Sequence, residues 1–430
     1  MRRCKLARQL NYNKPNITTL DNKLKIICYS IPSATSVSVT ATVGTGSRYE
    51  TNSNAGISHF LEHILFKGTS NWPTAQILTG AIENTGGDIN ALTSKDYTSY
   101  CIKVPHPHWE TALSVLTDMS MKPLLIPKEI EKEREIIHEE LRMYTDHPSY
   151  FADFGIDEIM FPNHPLGKEI IGTHNSVDAI TKEHLLEYMT TQYAPNNTVF
   201  TIVGKFEESR ILEYMNNTTS NWEAQQKINF QPYTSSANKT SNHFFKEQGS
   251  DQTYMNLGMY SLSSESSKSA GLALLNIIFG EGMSSRLFIK AREELSLAYD
   301  ISSNYIQHHD CGTWIISCGC DHSKFQLATD CILEELNNLT TTISETELAQ
   351  AKKYAIGRLL LNMEDTERLA TSIGHRAILT NDTFDFNDIM DEWNKITLQD
   401  ITELASKLVN GGPKFLSASG TNLSSDQFGL

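Results

Sequence analysis

Gly56-Ile-Ser-His-Phe-Leu-Glu-His-Ile-Leu-Phe-Lys-Gly-Thr69 is the stretch from which the rest of this chain is read. Ile57, Phe60, Leu61, Ile64 and Leu65 recur at the i, i+3, i+4, i+7, i+8 spacing of one buried helical face, which predicts a helix over 57–67. His59, Glu62 and His63 fall on the opposite side. Histidines at i and i+4 project side by side, so both rings can grip one ion. Glu62 flanks them, placed to reach an attacking water rather than the metal, the inverted form of the zincin helix. The plain alternative is a solvated polar stripe, but a chance HxxEH on a regular helix is rare.

A catalytic zinc site takes three protein ligands, so the third must come from another element. The pattern predicts a second helix over 128–144, with Ile130, Ile137, Leu141 and Tyr144 as its apolar face. Glu133 and Glu140, seven residues apart, border that face, whereas Glu131, Glu135 and Glu139 point away. A carboxylate at the edge of a buried stripe costs desolvation unless it is paired or bound to a cation. Glu133 and Glu140 are therefore the candidates.

The surrounding chain reads as two similar halves. Alternating runs at 24–31 and 37–43 precede the 57–67 helix. A helix at 74–84, strands at 89–93 and 97–104, helices at 108–119, 128–144 and 182–192, and a strand at 198–203 follow. After a polar stretch at Tyr233–Asn242 the order returns. It runs through a strand at 254–260, helices at 268–278 and 284–294, and strands at 301–305 and 313–317, then helices at 323–336, 345–361 and 398–408 and a last strand near Phe415. The expected fold is α+β. It has two homologous domains, 1–228 and 246–430, joined by a linker over 229–245, each a mostly antiparallel sheet with helices on one face. The second half has no HxxEH, so the metal site belongs to the first.

The motifs resemble the pitrilysin-like zinc metallopeptidases, in the branch of the mitochondrial processing peptidase β-subunit and its bacterial relatives. The matching pieces are Gly46-Ser-Arg-Tyr-Glu50, the 59–69 segment, Gly86-Gly-Asp-Ile-Asn-Ala91 and Arg134-Glu-Ile-Ile-His-Glu-Glu140, with 76 residues between His63 and Glu140. The resemblance implies His59, His63 and Glu140 as ligands of Zn2+, Glu62 as general base and Glu133 as a supporting carboxylate. It implies that Asn90, Ala91 and Thr93 lie on an edge strand that a peptide substrate joins by backbone pairing. It likens Phe279–Leu287 to the family's glycine-bearing loop, and it implies that Arg292 and Tyr299 hold substrate and stabilise the oxyanion. A chain of this length matches one half of a clamshell chamber. Because it keeps both the zinc set and the Arg292/Tyr299 pair, the resemblance favours a homodimer in which that pair serves the partner's site.

Composition bounds the rest. A chain of 430 residues that is 39% hydrophobic can build real cores. A formal charge of −15 without a basic stripe argues against a nucleic-acid surface. No run of apolar residues is long enough to span a membrane. Seven scattered cysteines suit a reducing compartment, and Arg2, Arg3, Lys5, Arg8 and Lys14 sit in no apolar signal segment. A bacterial cytoplasm is the expected location, an organelle matrix the alternative. His308, His309, Cys311, Cys318, Cys320 and His322 form a rival metal cluster, weighed against two cysteines simply buried on a strand. The function expected is zinc-dependent endopeptidase. The alternatives are a catalytically silent peptide-binding or structural core subunit and a metal-binding scaffold.

Overall fold

The computed structural model describes residues 13–234, 242–382, 385–421 and 423. The basic arm at Arg2, Arg3, Lys5 and Arg8 and the centre of the linker, 235–241, lie outside the described residues. The first half of the chain supplies β1 (Asn16–Thr19), β2 (Lys25–Ser30), β3 (Ser36–Val43), α1 (Ile57–Leu65), α2 (Ala75–Glu83), β4 (Asp88–Thr93) and β5 (Thr98–Pro105). It continues through α3 (Trp109–Met121), α4 (Pro127–Asp146), α5 (Tyr150–Met160), α6 (His174–Ala179), α7 (Lys182–Gln192), β6 (Thr198–Gly204) and α8 (Glu208–Thr219). The second half supplies β7 (His243–Glu247), β8 (Thr253–Ser261), α9 (Ser269–Phe279), β9 (Ala298–Gln307) and β10 (Gly312–Cys320). It ends with α10 (Phe325–Thr342), α11 (Glu345–Asn362), α12 (Thr366–Thr380), α13 (Phe386–Lys395), α14 (Leu398–Asn410) and β11 (Phe415–Gly420).

The duplication is visible in the hydrogen-bonded order of the strands. One sheet runs β1-β2-β6-β3-β5-β4 and the other β7-β11-β8-β10-β9. Omitting β1, the two orders superpose strand for strand. Each has one parallel pair in the same place, β2/β6 and β7/β11, and is otherwise antiparallel. These are two homologous α+β domains.

Compactness divides the chain in an interleaved way. One unit takes the residues up to Ile137, Ile170–Asn229 and Leu360–Asp391; the other takes His138–Glu169, Phe230–Leu359 and the residues from Glu392 on. Each half of the sequence therefore gives one helix to the other's sheet. In the first unit α12 packs on β3, β5 and β6; in the second α5 packs on β7, β8 and β11. The helical layer expected on one face of each sheet thus gains a companion on the opposite face.

Strand alternation explains how both faces are filled. On β3, Ser38 bonds Thr366 of α12 at 2.9 Å, and a Cβ on Gly374 of α12 would lie 2.7 Å from Thr42 Oγ1. Val37, Val39, Ala41 and Val43, all fully buried, point the other way, where α3 packs. The second sheet repeats this: a Cβ on Gly155 of α5 would meet Ser417 Oγ at 2.4 Å, and Asn256 donates to Asp153 at 2.7 Å. Both borrowed helices meet small polar strand residues, and α5 also packs Ile156 and Met160 in an apolar cluster with Phe415. Neither was read from periodicity, although Leu369, Ala370, Ile373 and Ala377 of α12 and Ala152, Ile156 and Met160 of α5 are buried at helical spacing.

Two further expectations change. The 284–294 segment is not a plain α-helix: Phe288–Glu294 winds as a π-helix, with the Leu295 N–H bonding the Lys290 carbonyl. Tyr144 leaves the apolar face of α4 and is exposed, because its ring stacks on Tyr150 and its hydroxyl binds Glu140.

Candidate metal and catalytic site

Helix α1 begins where a glycine is required. Gly56 has φ of +92°, and a Cβ there would lie 2.5 Å from the Ile171 carbonyl oxygen. The Glu50 carboxylate accepts from the Gly56 and Ser58 N–H groups at 2.7 and 2.9 Å, satisfying donors that a helix start leaves open. Ile57, Phe60, Leu61, Ile64 and Leu65 are at most 1% exposed, so the apolar face is fixed and His59, Glu62 and His63 are turned to the other side.

The Gly46–Glu50 motif ties this helix to the end of β4. Ser47 N–H bonds the Ser94 carbonyl at 3.2 Å and Arg48 N–H the Lys95 carbonyl at 2.9 Å. The Arg48 guanidinium, fully buried, pairs with Asp96 at 3.2 Å. Gly46 must be glycine because a Cβ would lie 2.1 Å from the Ser94 oxygen. One short motif therefore clamps the loop after β4 and caps α1 at the same time.

Helix α4 brings the second set of side chains. Its Ile130, Ile137 and Leu141 are buried, and Glu131, Glu135 and Glu139 are exposed as expected. Arg134 donates to the Val177 and Ile180 carbonyls and stacks over Phe60 of α1. His59, His63 and Glu140 each present one donor atom, all within 4.8 Å of one another. Among the described residues this is the one group of three or more His, Cys, Asp or Glu side chains close enough to hold a metal ion. Glu140 also accepts from Tyr144 Oη at 3.0 Å.

Glu133 accepts from His63 Nδ1 at 3.3 Å and from Lys67 Nζ at 2.7 Å, and is itself 2% exposed. Burial pushes its carboxyl up, but the hydrogen bonds and charges of His63 and Lys67 outweigh that and hold it below the usual range. Burial, with His63 beside it, holds His59 down to about 3, so that imidazole is neutral, the form that ligates a metal. Glu62 accepts from Thr93 Oγ1 at 2.5 Å. Lys67 and the hydroxyls of Tyr144 and Thr93 were not singled out as partners from sequence. Only Tyr144 had a usable signal, lying four residues after Glu140 on the same helix.

β4 is the free edge of its sheet. Asn90 and Leu92 are exposed, Ala91 is half-buried and Thr93 is buried, so Ala91 and Thr93 share a face with Tyr100 and Thr98 opposite them on β5. In the second unit Arg292 and Tyr299 meet: the guanidinium lies 5.2 Å from the Tyr299 ring centroid, and Tyr299 is 74% exposed on the edge strand β9. The rival cluster does not gather. Cys318 and Cys320 are buried on β10, His322 bonds Thr253 and the Ser250 carbonyl, and His309 stacks on Phe230. None of the helices of the described residues is long and apolar enough to cross a membrane.

Paired imidazoles one helical turn apart, a carboxylate from a second helix and an intervening glutamate, on a duplicated α+β chain, mark the inverted-motif metallopeptidase class. The chain belongs to peptidase family M16. Residues 25–174 match the family described as insulinase (peptidase family M16), and 179–354 match the peptidase M16 inactive domain. It is 32% identical over 91% of its length to a protein of Bacillus subtilis named as an uncharacterized zinc protease, covering 94% of that protein. It is 30% identical, with the same coverage, to an uncharacterized zinc protease of Rickettsia felis. A solved structure described as a protease from Helicobacter pylori shares the fold, with a TM-score of 0.87 over 96% of this chain and all of that one, at 20% identity.

Proposed function

We propose that this chain is a zinc-dependent endopeptidase that hydrolyses extended peptides or unfolded segments in a chamber formed by two subunits. The reading rests on the convergence of His59, His63 and Glu140 with Glu62 beside them. The donor set fits Zn2+: two imidazoles, one held neutral by its surroundings, and one carboxylate leave a fourth position for water or substrate. When bound, zinc polarises the scissile carbonyl and makes water acidic enough to attack near neutral pH.

The chain's own residues supply the remainder. Glu62 receives the proton of the attacking water on its carboxylate and returns it to the leaving amine. Glu133 holds His63 through Nδ1, directing its other nitrogen to the ion, and Lys67 holds Glu133. The edge strand β4, at Asn90, Ala91 and Thr93, pairs with the backbone of the peptide. Arg292 and Tyr299 donate to the developing oxyanion in the site of a second copy of the chain, which makes the working form a homodimer. The catalytic domain is then 1–228 and the supporting domain 246–430. The bacterial relatives support a cytoplasmic location.

Metal content measured beside hydrolysis of a quenched peptide, with and without a chelator, tests the reading. E62Q should retain zinc and lose turnover; full activity in E62Q would remove the mechanism. Mixing E62Q subunits with Y299F subunits should restore activity if the pair acts across the interface, and should not if it acts within one chain. The match of 179–354 to an inactive domain favours a second reading, a silent peptide-binding or core subunit, which would bind zinc and peptide without cleavage.

A further inference from the structure

The contact that the peptidase reading leaves unused is the one between the edge strand and the general base. Thr93 closes β4, and its hydroxyl donates to Glu62 Oε2 at 2.5 Å. The side chain is 6% exposed, so this hydroxyl is withdrawn from any substrate side chain.

The register of the hairpin assigns the backbone of the same residue a different task. Ser94 N–H bonds the Tyr97 carbonyl at 2.8 Å, closing the β4–β5 turn on a hydrogen-bonded pair. Antiparallel pairs alternate between hydrogen-bonded and non-bonded. With Thr93 opposite Thr98, Leu92 opposite Ser99 and Ala91 opposite Tyr100, the non-bonded positions are Thr93, Ala91 and Ile89. Their N–H and C=O groups point away from β5, to the open edge. Thr93 thus offers its backbone to an incoming strand while its hydroxyl grips Glu62.

The surroundings make this junction stiff. Ser47 and Arg48 bind the carbonyls of the two residues that follow Thr93, and Arg48 pairs with Asp96. Glu50, two residues beyond Arg48, caps the helix that carries Glu62. Strand end and helix start are held by one motif, so the Thr93–Glu62 distance is set from both sides.

We propose that Thr93 is a positioning residue: it fixes the Glu62 carboxylate in register with the peptide backbone docked on β4. This rests on the peptidase reading of the site. Its chemistry is a retained hydrogen bond with no covalent step, so the consequence is geometric. A base displaced by about 1 Å from its productive place costs on the order of a hundredfold in rate.

The test compares T93V, which keeps the shape and the β-branched backbone preference but loses the donor, with T93S, which keeps the donor. T93V should retain zinc and the wild-type KM for a quenched peptide while kcat falls at least about tenfold, and T93S should recover most of that loss. Crystal structures should show Glu62 in a changed or split rotamer in T93V and the wild-type rotamer in T93S. Unchanged kcat in T93V, a loss confined to KM, T93S as poor as T93V, or an unmoved Glu62 in T93V would each overturn the proposal. E62Q run in parallel separates the two ideas. A wild type without hydrolysis removes the peptidase reading and an active E62Q removes Glu62 as its base, whereas an inactive E62Q beside a fully active T93V removes only the role of Thr93.

Discussion

His63 Nδ1 lies 3.3 Å from Glu133 Oε2, and the other oxygen of that carboxylate takes a 2.7 Å bond from Lys67. On the proposed reading His63 is a metal ligand, and this contact sets its tautomer: with Nδ1–H donating to the carboxylate, Nε2 keeps the lone pair for an ion. Second partners of this kind stiffen the ring and raise its basicity.

Removing that support should weaken metal binding without removing a ligand. E133A is expected to lower zinc affinity by about 10–100-fold and E133Q by less, because the amide oxygen can still accept from His63. Competition against a chromophoric chelator measures it. Equal affinity in E133A and wild type would show that His63 is oriented without Glu133.

Arg48 and Asp96 form a buried ion pair at 3.2 Å in the loop that anchors Thr93. R48A removes one side of this buried ion pair, a change that costs about 3–5 kcal/mol. A lowered midpoint in urea, with loss of peptidase activity before global unfolding, is the expected result. A midpoint within error of wild type would place the pair outside the stability of this domain.

Gly56 is needed for both its backbone angle and its lack of a side chain. G56A would hold alanine at φ of +92° and press its Cβ against the Ile171 carbonyl at 2.5 Å. The left-handed backbone alone costs about 1–3 kcal/mol. Thermal unfolding of G56A should fall accordingly, while an alanine at Gly412, where a Cβ meets nothing within 4 Å, should change little.

Glu50 gives a pH signature. Burial pushes its carboxyl up to about 7 despite the hydrogen bonds from the Ser58 and Gly56 N–H groups. An unfolded glutamate ionises near ~4.3. Between that value and about 7 the unfolded chain has released a proton that the folded chain keeps, so the contribution of Glu50 to stability falls as pH rises through this window and is level above it. Urea unfolding of wild type and E50Q at pH 5 and pH 8 should therefore show the difference shifting in favour of glutamine at the higher pH. A constant difference would mean that Glu50 titrates alike in both states.

Legibility followed the range of the interaction. His59, Glu62 and His63 could be placed on one side of a helix because Ile57, Phe60, Leu61, Ile64 and Leu65 fix the other side within nine residues. Glu133 and Glu140 were separable from three neighbouring glutamates by the same local angle. Tyr144 was assigned to the buried face by that rule and is exposed, since its ring found Tyr150 in the next helix. The π-helical turn at Phe288–Glu294 also escaped, because periodicity does not distinguish a seven-residue widening from an ordinary helix.

Side-chain spacing along single helices and strands carries the duplicated α+β order and shows which imidazoles and carboxylates face the same way. The exchange of α5 and α12 between the sheets, the reach of Lys67 to Glu133 and the hold of Thr93 on Glu62 across 31 positions of chain emerge only in the folded chain. Those contacts depend on the path of the backbone between elements. That path is set by close approaches such as Gly46 against Ser94 and Gly374 against Thr42, which leave no period in the sequence.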